Sequence, residues 1–308
     1  QRQMCIRDRY KGKPRSRIAY LCASKRMDWE PVAWTDFDGK NIVFTDIQKG
    51  PVMRVATYER GRLRFWTDPF EINVSNEFHF FTPSDSVQDV TLFAKYTLRA
   101  DDMFLNRMIG GTFEGSNDPD FREKEVLYLI NEKPKRLQTV VQSYSSKPYR
   151  YVRYVGPKES HCNIAEVAFY TPNDTASLKG KVIGTPGCFQ KDGSHEYTNV
   201  FDGDVTTSFD YIEPSGGWSG IDLGIPKQIE KIVYTPRSYD NYIRSGDKYE
   251  LFYCTGKDKW ESLGKKVSEA DSLVYRDVPV NVLLLLKNYS KGVQERIFTY
   301  ERKGQVWK

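Results

Sequence analysis

Thr198-Asn199-Val200-Phe201-Asp202-Gly203-Asp204-Val205-Thr206-Thr207-Ser208-Phe209 opens an ordered run of landmarks. The run continues through Gly217-Trp218, Ile221-Asp222-Leu223-Gly224, Tyr234-Thr235-Pro236-Arg237 and Tyr249-Glu250-Leu251-Phe252-Tyr253, and it ends near Trp260. A glycine between two aspartates permits a sharp turn with positive φ and directs carboxylates and carbonyls to one side. The segments that follow are short, apolar or aromatic, and bounded by Gly, Pro, Asn and Asp, which is the pattern of strands.

Composition agrees with that pattern. The chain has 308 residues, 14% of them aromatic, with 15 Pro and 22 Gly. It is long enough for two or three domains and suits turn-rich β-structure rather than disorder. Helical periodicity is nearly absent. Val43, Val52 to Val55 and Leu63 to Trp66 lie in short runs punctuated by Asp38-Gly39, Lys49-Gly50-Pro51 and Arg60-Gly61. Such a meander of hairpins predicts one all-β unit over residues 10–88.

Several functions are disfavoured at once. Lys and Arg number 46 against 41 Asp and Glu, a formal charge of +5 with the two signs interspersed. No one-sided cationic stripe is present, so nucleic acid is not an expected partner. The longest apolar run, Val282-Leu283-Leu284-Leu285-Leu286, fits a buried strand and falls far short of a spanning helix. His79, His161 and His195 are isolated, and neither a nucleophile elbow nor a Gly-rich phosphate loop occurs. Cys22 sits in the strand-like Ile18-Ala19-Tyr20-Leu21-Cys22, whereas a reactive thiolate needs a helix N-terminus or a cationic partner. No catalytic residue is expected. Cys22, Cys162, Cys188 and Cys254 have no metal-type spacing and are expected as free, buried thiols.

The landmark run resembles the discoidin domain, the coagulation-factor C-type or galactose-binding-like sandwich. In that family an Asp-Gly-Asp/Asn-x-x-Thr-x-aromatic turn precedes a strand ending Asp-Leu-Gly, then one entering Pro-Arg, then one rich in Tyr. The resemblance implies consecutive β-sandwich units, the last a discoidin-like jelly roll over residues 173–308. Gly111 to Phe121, Tyr149 to Val155 and Asn163 to Tyr170 resemble the second half of another copy, predicting a degenerate relative over 89–172 that serves as a spacer. Trp29-Glu30-Pro31-Val32-Ala33-Trp34 and Asp68-Pro69-Phe70 resemble the β-domain that follows the catalytic domain in transglutaminase-like surface proteins of Bacteroidetes.

These resemblances imply a noncatalytic carbohydrate-binding or adhesion region of a larger protein that is extracellular, at the cell surface or periplasmic. A glycan or glycoconjugate is then the partner. The alternative is a set of accessory domains that position an upstream transglutaminase-like catalytic domain. Glycan-binding members hold a structural Ca²⁺ at the matching turn, and the matching positions are Asp202, Asp204, Thr207 and Glu295. Oxygen-only donors suit that ion, although the same residues read equally as turn-formers and caps. Arg237 offers a donor fork for paired hydroxyls or a carboxylate, or it pairs with Asp210 or Asp247. Tyr211, Trp218, Tyr239 and Tyr242 are candidate stacking rings, with Trp218 favoured as core and Tyr239 and Tyr242 as exposed.

The opposite end reads differently. Gln1-Arg2-Gln3-Met4-Cys5-Ile6-Arg7-Asp8-Arg9 resembles the in-frame translation of a sequencing-library adapter. That predicts a native reading that begins near Tyr10, in mid-domain, and a dispensable leading segment. Without it the formal charge falls to +3.

Overall fold

The computed structural model describes residues 3–5 (as backbone), 17–37, 42–45, 47–256, 259–290, 295–302 and 304–308. The expected turn at Asp38-Gly39 and the expected start at Tyr10 lie outside the described residues. The chain is all-β, built of antiparallel sheets packed as sandwich units. It divides into two compact units, one of residues 98–240 and one that combines 1–97 with 241–308.

The continuous unit is a two-sheet sandwich. Its five-stranded sheet runs Lys124–Leu129, Thr112–Ser116, Pro148–Val155, Trp218–Gln228, Lys181–Gly184. The facing sheet runs Thr139–Gln142, Lys231–Pro236, Cys162–Tyr170, Phe209–Asp210. Alternation along each strand turns Phe113, Val152, Tyr154, Ile164, Val167, Phe169, Ile221, Ile232 and Tyr234 into one buried cluster. Ion pairs edge this core. Glu114 is buried and accepts from Arg153, whose guanidinium lies 3.9 Å from the Phe121 ring and 5.0 Å from that of Trp218. Arg150 donates to both oxygens of Asp222 at 2.8 and 2.9 Å.

A helix, Arg99–Arg107, opens this unit. Asp101 and Asp102 lie in its first turn and Arg107 in its last, matching the helix dipole, and Phe104 and Leu105 are buried. The sequence pattern left it unrecognised because nine residues show barely two turns of periodicity.

In the second unit, a sheet of Glu30–Asp36, Ile18–Ser24, Val52–Glu59, Phe70–Ile72 and Phe78–Phe80, with Arg62–Phe65 paired to Val52–Glu59, buries Leu21, Phe44, Val55 and Phe70. A second sheet runs Trp260–Val267, Lys248–Cys254, Leu284–Asn288, Phe298–Glu301, Gly304–Trp307. It packs with the ladder of Val87–Leu92 and Leu273–Pro279 around Val90, Leu251, Tyr275 and Leu286. Gln3–Cys5 pairs with Val43–Thr45. The leading segment thus takes a ladder where none was expected, since an unpaired strand edge recruits extended chain.

These units redraw the expected boundaries. The ranges 89–172 and 173–308 do not stand as separate domains, because Pro148–Val155 pairs with Trp218–Gln228 and Cys162–Tyr170 with Lys231–Pro236. The supposed spacer supplies half of the sandwich that holds the Asp-Gly-Asp turn. Tyr249 to Tyr253, the last landmark, belongs to the other unit.

Candidate functional site

The turn after the 3-10 helix Tyr197–Phe201 is self-bonded. Asp202 Oδ1 accepts from the Asp204 amide at 2.7 Å, and Oδ2 accepts from Thr207 Oγ1 at 2.8 Å. Asp204 Oδ1 accepts from the amide and hydroxyl of Thr206 at 2.9 and 2.6 Å, and Gly203 takes φ +84°. Asp202, Asp204 and Thr207 therefore come together as expected. Glu295, the fourth expected ligand, belongs to the other compact unit.

The carboxyl beside this turn is Glu166, which the sequence reading missed. Its Oε1 accepts from the Gly203 amide at 2.8 Å. Burial, and then Asp202, push its carboxyl up to about 8. Two carboxyls set side by side form an oxygen donor set that suits a divalent cation. Among the described residues no three His, Cys, Asp or Glu side chains gather as a metal cluster. Ca²⁺ draws much of its shell from hydroxyls, carbonyls and water, so the oxygens of Asp202, Glu166 and Thr207 still fit that ion. Ala165-Glu166-Val167, a lone acid within an apolar strand, was the available signal.

A second cluster surrounds Arg237. Its guanidinium pairs with Asp210, with only 12% and 9% of the two side chains exposed, and lies 4.7 Å from the Phe104 ring. The structural pairing foreseen for Arg237 is the one present. Its amide donates to Asn163 O at 3.0 Å. Tyr239 packs on Phe104 with ring centroids 5.1 Å apart and remains 48% exposed, while its amide donates to Asp101 Oδ1 at 2.6 Å. Asp101 is buried, which raises its pKa, and its Oδ2 has no hydrogen-bond partner.

The remaining candidate rings divide. Tyr211 is half-buried, receiving His161 Nδ1 on its carbonyl at 2.9 Å and donating its amide to His161 O at 2.8 Å. Trp218, favoured as core, is half-buried at the head of its strand and packs on Phe121 at 5.7 Å. Tyr242 corrects the expectation of exposure. It lies in the other unit, is 4% exposed, and accepts from Arg244 Nη2 at 3.0 Å. Its backbone bridges Ala94, which draws the ring into that unit's core.

Two residues near Arg237 were not foreseen. Phe189, 56% exposed, meets the His161 ring edge-on at 5.0 Å, and its amide donates to Asp210 O at 2.8 Å. His161, Cys162 and Asn163 hold φ of +57°, +74° and +52° in succession, a left-handed run without glycine. Gly156 and Gly217 let it seat, since an added Cβ at either would lie within 2.7 Å of Cys162 Sγ.

Cys22, Cys162, Cys188 and Cys254 are buried thiols outside any disulfide, as expected, and burial pushes the Cys22 thiol up to about 11 and that of Cys162 to about 12. Both shifts oppose thiolate formation. Comparison with protein-family models, with curated proteins and with solved structures finds no match for this chain.

Proposed function

We infer that this chain is a noncatalytic glycan-binding region of a larger secreted or surface protein, with recognition at the loops around Arg237. The observation that carries this reading is the left-handed run His161–Asn163. Such backbone costs about 1–3 kcal/mol per residue, persists where its surroundings impose it, and clusters at active sites, ligand clamps and switch regions. Here it sets His161 against the exposed Phe189 ring and places Asn163, whose buried Oδ1 lacks a partner, beside Arg237. Rigid rings beside a few fixed polar groups are what a sugar requires.

One observation favours a purely structural or adhesive role instead: the Arg237 fork is already engaged by Asp210. Glycan-array screening of the full chain, followed by titration of any hit, separates the two. Dissociation constants between millimolar and high micromolar, about 4–6 kcal/mol, are expected. Phe189→Ala and Tyr239→Ala should each weaken binding, and Arg237→Lys should weaken it while keeping a cation on Asp210. A blank array, or a hit indifferent to all three changes, would leave the structural role.

Ca²⁺ belongs to the same reading, held by Asp202, Thr207 and Glu166. It would supply charge neutralisation and brace the turn. Millimolar Ca²⁺ should raise the melting temperature relative to chelator by mass action, and Asp202→Ala should abolish that rise. Superimposable melting curves would remove the ion.

A further inference from the structure

We propose that the continuous unit carries a second binding pocket, independent of the Arg237 loops, for a neutral monosaccharide-sized polyol. The register of two neighbouring strands builds its floor. Glu166 pairs with Thr235 and Ala168 with Val233, so all four side chains share one face of the sheet. Ala168 is small where its neighbours are not, and a cavity of about 300 Å³ opens above it. Leu178, Val182, Phe201, Val205 and Ile221 add apolar lining.

Thr235 is the residue that points to a ligand. It lines the cavity, is 2% exposed, and its Oγ1 has no hydrogen-bond partner. Valine would fill the same shape without stranding a hydroxyl, so threonine here costs stability unless something enters to bond it. The volume sits at the lower end of the roughly 300–1,000 Å³ of ligand pockets, which admits about one ring. One acid, Glu166, and one amine, Lys179, share the lining, so neither sign of charge is selected, while the Glu166 carboxyl and the Thr235 hydroxyl suit ligand hydroxyls.

The full chain, kept in chelator, would be titrated with glucose, galactose, mannose, xylose and N-acetylglucosamine, with binding followed by saturation-transfer NMR and stability by thermal melts. At least one sugar should saturate in the millimolar range. Thr235→Val should weaken it tenfold or more while the melting temperature holds or rises, Ala168→Leu should abolish it by filling the floor, and Arg237→Lys should leave it unchanged. A blank panel overturns the proposal, as does binding that survives both cavity substitutions in folded protein. Binding lost only with Arg237→Lys also overturns it, and assigns the sugar to the loops.

Discussion

The two compact units are both built of antiparallel sheets, but from differently arranged chain. One uses an unbroken stretch, 98–240, and the other joins 1–97 to 241–308. A typical cross-strand partnership in the first, Arg150 with Asp222, spans 72 positions, whereas Asp277 and Asp89 in the second span 188. Loop closure grows only with the logarithm of length, so this difference costs about 0.9 kcal/mol per closure. The contrast therefore lies less in stability than in which pieces of chain can fold alone.

The largest effect should come from where the chain is cut. A fragment of residues 98–240 keeps every strand of its sandwich and should give a dispersed NMR spectrum and one cooperative unfolding transition. A fragment of 173–308 loses Pro148–Val155 from beside Trp218–Gln228, both partners of Lys231–Pro236 and the partner of Leu273–Pro279, and it should remain unfolded. Folding of the second fragment and failure of the first would reverse the comparison.

Next in size is the contrast between each unit's buried arginine. Arg237→Ala should cost about 3 kcal/mol, because it strands Asp210 as an unpaired acid with little water around it. Arg54 of the discontinuous unit donates instead to the Thr67 and Gly256 carbonyls at 3.0 and 3.1 Å and lies 4.3 Å from the Phe65 ring. Its replacement by Met keeps the packing and should cost about 1–2 kcal/mol. Denaturant melts of both variants would rank them, and Arg54→Met proving the costlier would break this ordering.

A pH-dependent effect comes third and belongs to the continuous unit. Because Glu166 is raised from the ordinary carboxyl value to about 8 in the fold, its protonated form is favoured there. In chelator its contribution is fully present below about pH 4.5 and is lost as pH rises towards 8. Glu166→Gln should flatten that decline in the melting temperature between pH 5 and 8. Glu295→Gln, in the other unit, should change stability by less than about 0.5 kcal/mol. A decline that persists unchanged in Glu166→Gln would overturn this role for Glu166.

Much of the fold was legible because strand signals are local. Asp202-Gly203-Asp204 and Tyr234-Thr235-Pro236-Arg237 fall on the expected turn and strand end. What the landmarks could not convey is partnership, since order along the chain does not say which strands share a sheet. Tyr249 to Tyr253 and Glu295 were therefore grouped with a turn that lies in another unit. Glu166 escaped notice because its role arises from register opposite Thr235 and from the reach of Gly203, and neither leaves a spacing in sequence. Phe189 and His161 likewise gain meaning only through the left-handed run that brings them together.

The division at Thr97 and Asn241 also imposes an order on biosynthesis. The Lys95 amide donates to Asn241 O at 2.8 Å and that of Ile243 to Phe93 O at 3.0 Å, so two segments of the discontinuous unit meet in an isolated bridge where the intervening stretch departs and returns. At ribosomal rates of about 5–20 residues per second, roughly 140 residues must emerge before those bonds can form, a delay of about 7–30 s. Throughout that interval Val87–Leu92 waits without its partner strand, its backbone open to any extended chain nearby. Nascent chains stalled before residue 273 should for that reason engage chaperones at the early strands, while the intervening sandwich is already closed.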